Sequence, residues 1–167
     1  MNITKNTKIL SKKSEDSITQ DNAKLFKRRF DDIRTKLDNK LQGCSAIQLG
    51  FPVKTFIMRN PKTKEFYMVN NPELHWKFGV RHSYEGCLSV ESRYYVWRPL
   101  IICASWEDED LNRKKKILGP KMTRIFMHEY DHLQGITIAN KGVKCNVSDM
   151  PQIQQLHNSK TRTKSKG

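Results

Sequence analysis

The sequence has no apolar run near the roughly 20 residues that a membrane-crossing helix needs. Its polar N-terminus has no hydrophobic core of a secretory signal. An organellar leader in residues 1–20 is disfavoured by Glu15, Asp16 and the lack of arginine there. None of the four cysteines, Cys44, Cys87, Cys103 and Cys145, forms a close pair, so neither a disulfide framework nor a zinc ribbon is readable. A reducing, cytoplasmic setting is therefore expected, with no membrane partner. There is no GxxxxGK, and no GxGxxG follows a strand, which leaves nucleotide binding without a foothold. No internal repeat is visible. Acid is scarce: 17 Asp and Glu face 31 Lys and Arg, for a net charge of +14. That balance favours polyanionic surroundings such as the ribosome. The basic residues are scattered and mostly lysine. No run interleaving arginine with aromatics stands out, so loose electrostatic association is expected rather than specific DNA recognition.

Apolar residues make up only 37% of the 167-residue chain. The shortage sits in the first twenty residues, in 107–124 and after Met150, leaving enough for one domain. Residues 1–20 read as an extension, flexible or partly packed, in which Ile9 and Leu10 add a short strand or pack down. Residues 21–150 read as the folded domain, and 151–167 as a short basic tail. Leu25, Phe26, Phe30, Ile33, Leu37 and Leu41 keep helical spacing, so a helix is predicted over Asp21 to Leu41. Ser17, Thr19 or Asp21 would cap it and Gly43 break it. Strand-like pieces follow at Thr55–Met58, Phe66–Val69, Tyr94–Trp97 and Ile101–Trp106. Asn60-Pro61-Lys62 and Asn70-Asn71-Pro72 read as turns. The charged stretch 107–116 reads as a turn or solvent-facing connection. A second helix opens at Pro120 and runs from about Lys121 to Leu133, with Gly135 ending it. Its apolar stripe is Met122, Ile125, Phe126, Tyr130 and Leu133. Asp149 to His157 has room for one or two helical turns.

Inside that second helix lie His128, Glu129 and His132. Histidines four apart share one helix face and can share one metal, while a glutamate after the first can reach water on it. Two ligands are not yet a site, because a catalytic metal usually needs three protein ligands and one open position. Downstream, only Asp149 and His157 offer candidates, and neither is well placed. Upstream, Cys87 sits in Glu85-Gly86-Cys87-Leu88-Ser89, and its thiolate would complete a Cys/His/His set suited to zinc or ferrous iron. Two satisfied or surface histidines remain the bland alternative. A zinc peptidase of another class and a non-catalytic binding relative are the functional alternatives.

These stretches resemble the peptide deformylases. The family's HExDHLxG appears whole as His128 to Gly135, and EGCLS is intact from Glu85 to Ser89. GxGLAAxQ is degenerate as Leu41 to Gln48. Asn71-Pro72, Val96 with Arg98, and Thr123-Arg124-Ile125-Phe126 resemble flanking family patterns. The likeness covers roughly residues 20–140. It implies an α+β fold in which mixed, mostly antiparallel sheets wrap a central metal-binding helix.

The implied reaction is hydrolysis of the formyl group of N-formylmethionyl nascent peptides by a chain expected to be a monomer. Cys87, His128 and His132 would hold one divalent ion, Fe(II) in the cell and Zn, Ni or Co in isolated protein. Glu129 would be general base and then acid, with the Gln48 side chain and the Leu88 N–H holding the oxyanion. Arg98 and Asp131 would brace the ligands, and Glu85 would be a structural carboxylate at the mouth of the cysteine loop. Ile125, Tyr84, Phe126 and the stem of Arg124 would line the methionine slot. Main chain near Gly43, Cys44, Ser45 and Gly86 would pair with extended substrate. The pattern departs from the family at Leu41, Cys44, Ser45, Glu91 and Met127. The basic tail, through Lys160, Arg162, Lys164 and Lys166, is a candidate ribosome contact. Host or phage origin is left open, and a phage-encoded chain would work in the host cytoplasm.

Overall fold

The computed structural model describes residues 3–14, 18–37 and 41–145. The expected helix at 149–157 and the basic tail lie outside these residues, as do the candidate ligands Asp149 and His157. The N-terminal segment carries a one-turn helix, α1 (Thr7–Leu10), capped by the Asn6 side chain. Leu10 packs down in that helix rather than in a strand and is fully buried. The Thr4 N–H donates to the Gln48 carbonyl and the Ser14 N–H to that of Leu133, both at 2.9 Å. This segment is thus tied to two stretches that build the cleft described below.

Helix α2 (Gln20–Leu37) buries Ala23, Phe26, Phe30 and Ile33. Leu25 departs from the expected stripe and is 42% exposed, because one step of about 100° from Phe26 carries it off the inward face. Leu41 is buried, but beyond the helix. Next come β1 (Gly43–Ser45), a 3-10 helix (Ala46–Leu49) and β2 (Thr55–Arg59). β3 (Phe66–Phe78), β4 (Arg81–Cys87), β5 (Val90–Arg98), β6 (Ile101–Glu107) and β7 (Arg113–Leu118) follow. The chain then forms α3 (Pro120–Leu133), α4 (Ile138–Lys141) and β8 (Val143–Lys144).

The strands form two sheets, β1-β2-β3-β6-β7 and β4-β5-β8, antiparallel in every described pairing. Two expectations fail here. Asn70-Asn71-Pro72 is not a turn: β3 runs straight through it with a register shift, and Asn71 sits at φ 47°. A bulge accepts a proline that a regular ladder would reject for lack of an N–H. The charged stretch 107–116 is not simply a connection either, since Arg113 onward pairs with β6 as an edge strand. Lysines on an edge hide its period and protect it from pairing with another chain.

At β2 and the first part of β3 the five-stranded sheet is covered on both faces. Ile57 and Met68 pack beneath α2 with Phe26, Phe30 and Leu49. Phe56, Met58, Val69, Ile102 and Trp106 pack beneath α3 with Phe126 and Leu133. Phe126 meets Phe56 edge-on at 5.2 Å and Trp106 at 6.1 Å. It is therefore core and does not line the substrate slot. Each such buried aromatic contributes about 1.5–3 kcal/mol over leaving it exposed. Held this way, α3 turns its His128–His132 side toward β1 and the second sheet.

Candidate active site

Pro120 occupies the first turn of α3, where a missing N–H costs nothing, and Gly135 follows its end at φ 73°. The straight helix between them stacks His128 and His132, with ring centroids 5.2 Å apart. Cys87, at the end of β4, faces them across the cleft. The ligand atoms of Cys87, His128 and His132 all lie within 4.8 Å of one another, and Cys87 Sγ is 3.3 Å from His132 Nε2. Three donors so spaced fit one ion with bonds of about 2.0–2.3 Å. Glu85 Oε2 engages His128 Nδ1 at 2.9 Å, which leaves the other ring nitrogen for the ion.

The anionic neighbours of His128 favour positive charge there. Burial opposes charge on His128, but Cys87, Glu85 and Glu129 outweigh it and push the pKa up to about 10. Burial, aided by His128 and Arg98, pushes His132 down to about 3, so that ring stays neutral as a ligand must. The buried pocket thus favours positive charge near His128 and keeps His132 able to donate a lone pair.

Glu129 lies beside the triad, almost fully buried, and burial pushes its carboxyl up to about 7. Its Oε2 has no hydrogen-bond partner among the described residues. A Cβ added at Gly43 would lie 2.5 Å from Glu129 Oε1, so glycine is needed there to admit the carboxylate. Gln48 is buried nearby. Its Oε1 accepts from the Ser45 N–H at 2.9 Å, which turns its Nε2 toward Ser89 Oγ at 3.1 Å and Cys87 Sγ at 3.5 Å.

A buried ionic chain braces the metal helix. Arg98 donates to both Glu85 oxygens at 2.8 Å and to Asp131. Lys141 completes it, with Nζ 2.8 Å and 2.9 Å from the Asp131 oxygens. The buried charges of Arg98, Glu85 and Asp131 are tolerated because each has a partner, with Lys141 joining from the surface.

The cleft in front of the triad encloses about 480 Å³. The model for polypeptide deformylase matches residues 2–147 of the chain. The chain belongs to the polypeptide deformylase family. Peptide deformylase 2 of Shewanella oneidensis is 29% identical over 144 residues, covering 75% of this chain and 76% of its own length. Peptide deformylase of Rhodopirellula baltica is 31% identical over 132 residues, or 74% of this chain and 65% of its own length. The solved deformylase of Plasmodium falciparum aligns with a TM-score of 0.76 at 27% identity, covering 99% of this chain and all of that one. A probable peptide deformylase from the Synechococcus phage S-SSM7 aligns with a TM-score of 0.73 at 26% identity, covering 84% of this chain and 99% of that one.

Of the residues singled out from the deformylase motifs, Gly43, Gln48, Tyr84, Gly86, Cys87, Leu88, Arg124, Ile125, His128 and Glu129 line the cleft. Leu88 sits in the turn joining β4 to β5. Cys44 and Ser45 do not line it. Both side chains are fully buried, and burial first, then Glu129 and Cys87, pushes the Cys44 thiol well up. Three features were missed from sequence. Glu85 was read as a structural carboxylate, and its hold on His128 was not seen. Ser89 stands out in the sequence only as part of its motif. Lys141 gave no signal, because its partner Asp131 is met only after the chain turns at Gly135.

Proposed function

We propose that the chain hydrolyses the N-terminal formyl group of formylmethionyl peptides at this cleft. The observation that carries the reading is the Cys87/His128/His132 donor cluster with buried Glu129 beside it, in a deformylase fold. Cys87, His128 and His132 would hold one divalent ion, and their N/N/S chemistry suits iron(II) in the cell with zinc, nickel or cobalt as replacements. When bound, such an ion supplies Lewis acidity and an acidified water.

The protein's own groups do the rest. Glu129 accepts the proton of the attacking water and hands it to the departing amine. The Gln48 Nε2 and the Leu88 N–H hold the negative oxygen that develops on the formyl carbon. The Ser45–Gln48 bond fixes which end of that amide faces the cleft. β1 is the open edge of its sheet, so the main chain at Gly43 can pair with an extended peptide. Ile125, Tyr84 and the Arg124 stem take the methionine side chain. Arg98 and Asp131 hold α3 against β4, and Glu85 orients His128.

Residues 21–150 form the catalytic unit in this reading, working as a monomer in the cytoplasm. Residues 1–20 are an extension partly packed on that unit. The basic surface and the tail from Lys160 onward associate with the ribosome. The test of activity is hydrolysis of formyl-Met-Ala-Ser by iron- or nickel-loaded protein. Release of formate is expected, and a fully metallated chain that releases none would overturn the assignment. The tail is tested separately: deleting residues 158–167 should reduce ribosome pelleting.

A further inference from the structure

The second sheet has a face that meets the cleft only at its rim. Ser83, Glu85, Val96 and Arg98 point inward and are buried. Strand alternation therefore puts His82, Tyr84, Arg93, Tyr95 and Trp97 together on the opposite face. The register sets His82 across from Trp97 and Tyr84 across from Tyr95. The rings meet in an unbroken series. Centroids lie 3.4 Å apart for Trp97 and His82, 6.4 Å for His82 and Tyr95, and 5.2 Å for Tyr95 and Tyr84. The Arg93 guanidinium then lies 5.3 Å over the Tyr84 ring. The ladder starts at Trp97, 60% exposed, and ends at the rim of the cleft, where Tyr84 and Arg93 stand.

Its charge is one-sided. Arg93 is exposed along it. β4 and β5 carry two carboxylates between them, and both are engaged: Glu85 is buried against Arg98, and Glu91 is held by Lys5 at 3.0 Å. The chain as a whole carries +14. Rings in series with a cationic rim are the features that bind unstacked bases and their phosphates. A peptide would seek the edge of a sheet, where main-chain groups are open. Here β5 pairs with β4 on one side and, at Tyr94 and Tyr95, with β8 on the other, and it is the broad face of β4 and β5 that carries the rings.

We propose that this face binds single-stranded RNA. Bases stack on Trp97, His82 and Tyr95, while Arg93 meets a phosphate. The choice of RNA rests on the deformylase reading, since RNA is the polyanion beside which new peptides are made. The linear sequence conceals the ladder because its rings are divided between two strands and become neighbours only through the β4–β5 register.

The test is fluorescence anisotropy of a labelled uridine oligomer of about twelve nucleotides with the full metal-loaded chain. Binding should weaken as salt rises from about 50 to 200 mM. Trp97→Ala and His82→Ala should each weaken it about fivefold or more, whereas Trp97→Phe keeps a ring and most of the affinity. Trp76→Ala, an exposed tryptophan on the other sheet, should change nothing. Formate release by the same preparations should stay at the wild-type rate, which separates loss of RNA binding from loss of the fold or of the deformylase reading. Should Trp97→Ala fail to fold, quenching of Trp97 emission by the oligomer in a chain carrying Trp76→Phe and Trp106→Phe gives the same information. No binding by the wild type at low salt would overturn the proposal. So would equal affinity of wild type and Trp97→Ala, because basic charge alone would then carry the contact. A Trp97→Ala chain that loses only affinity for longer formyl-peptides would also overturn it, in favour of a peptide seat.

Discussion

At the scale of single residues, the site depends on close approaches. Gly43 leaves no room for a methyl group beside Glu129 Oε1. Gly43→Ala should therefore displace the carboxylate, cutting kcat by about 10²-fold or more while the melting temperature barely moves. Steady-state kinetics beside a thermal melt check this. Glu85→Gln keeps the shape of the His128 partner but removes its charge, so metal affinity should fall by about 10–100-fold, measured by competition with a chelator. Glu85 also sets an acid limit. Burial raises its pKa, but hydrogen bonds from Arg98 and His128 outweigh burial and hold it down at about 2, against 4.5 for an ordinary glutamate. Lowered in the folded state, it stabilises the fold fully above pH 4.5, and that contribution fades as pH falls toward 2. Thermal melts across this window should show the wild type losing stability more steeply than Glu85→Gln.

At the scale of elements, α3 carries the function and was the most legible part of the sequence. Pro120, the apolar stripe and Gly135 mark both ends and one face of α3, and the structure ends it at Leu133 as expected. The stripe places Phe126 in the core, where it lies; the substrate slot was offered for it only by the family likeness. Helical spacing places a residue on a face but does not say which of two neighbouring sheets that face meets. β4 went unread because Arg81 to Cys87 mixes charge, glycine and aromatics, and its pairing with β5 is non-local information. β7 went unread because an edge strand of Arg and Lys has no apolar period. The join between elements is testable. Arg98 fastens β5 to β4 through Glu85 and to α3 through Asp131, and it is only 1% exposed. Arg98→Ala would leave two buried carboxylates with only Lys141 and His128 as partners, so a loss of about 3–5 kcal/mol is expected in urea denaturation.

At the scale of the whole molecule, two sheets and two helices converge on one cleft, and the N-terminal segment ties into it. The metal ligands could be named in advance because the EGCLS and HEYDH stretches carry them. Their mutual distances depend on the packing of both sheets around α3 and were not readable. The ring ladder was equally invisible along the chain. The central claim is that Glu129, beside the Cys87/His128/His132 cluster, moves the proton in formyl hydrolysis. Its most direct test compares formate release from formyl-Met-Ala-Ser by iron-loaded wild type and Glu129→Ala at equal metal content. Loss of about 10²–10⁴-fold in kcat with the metal retained is the outcome this account predicts. Wild-type turnover undiminished in Glu129→Ala would contradict it.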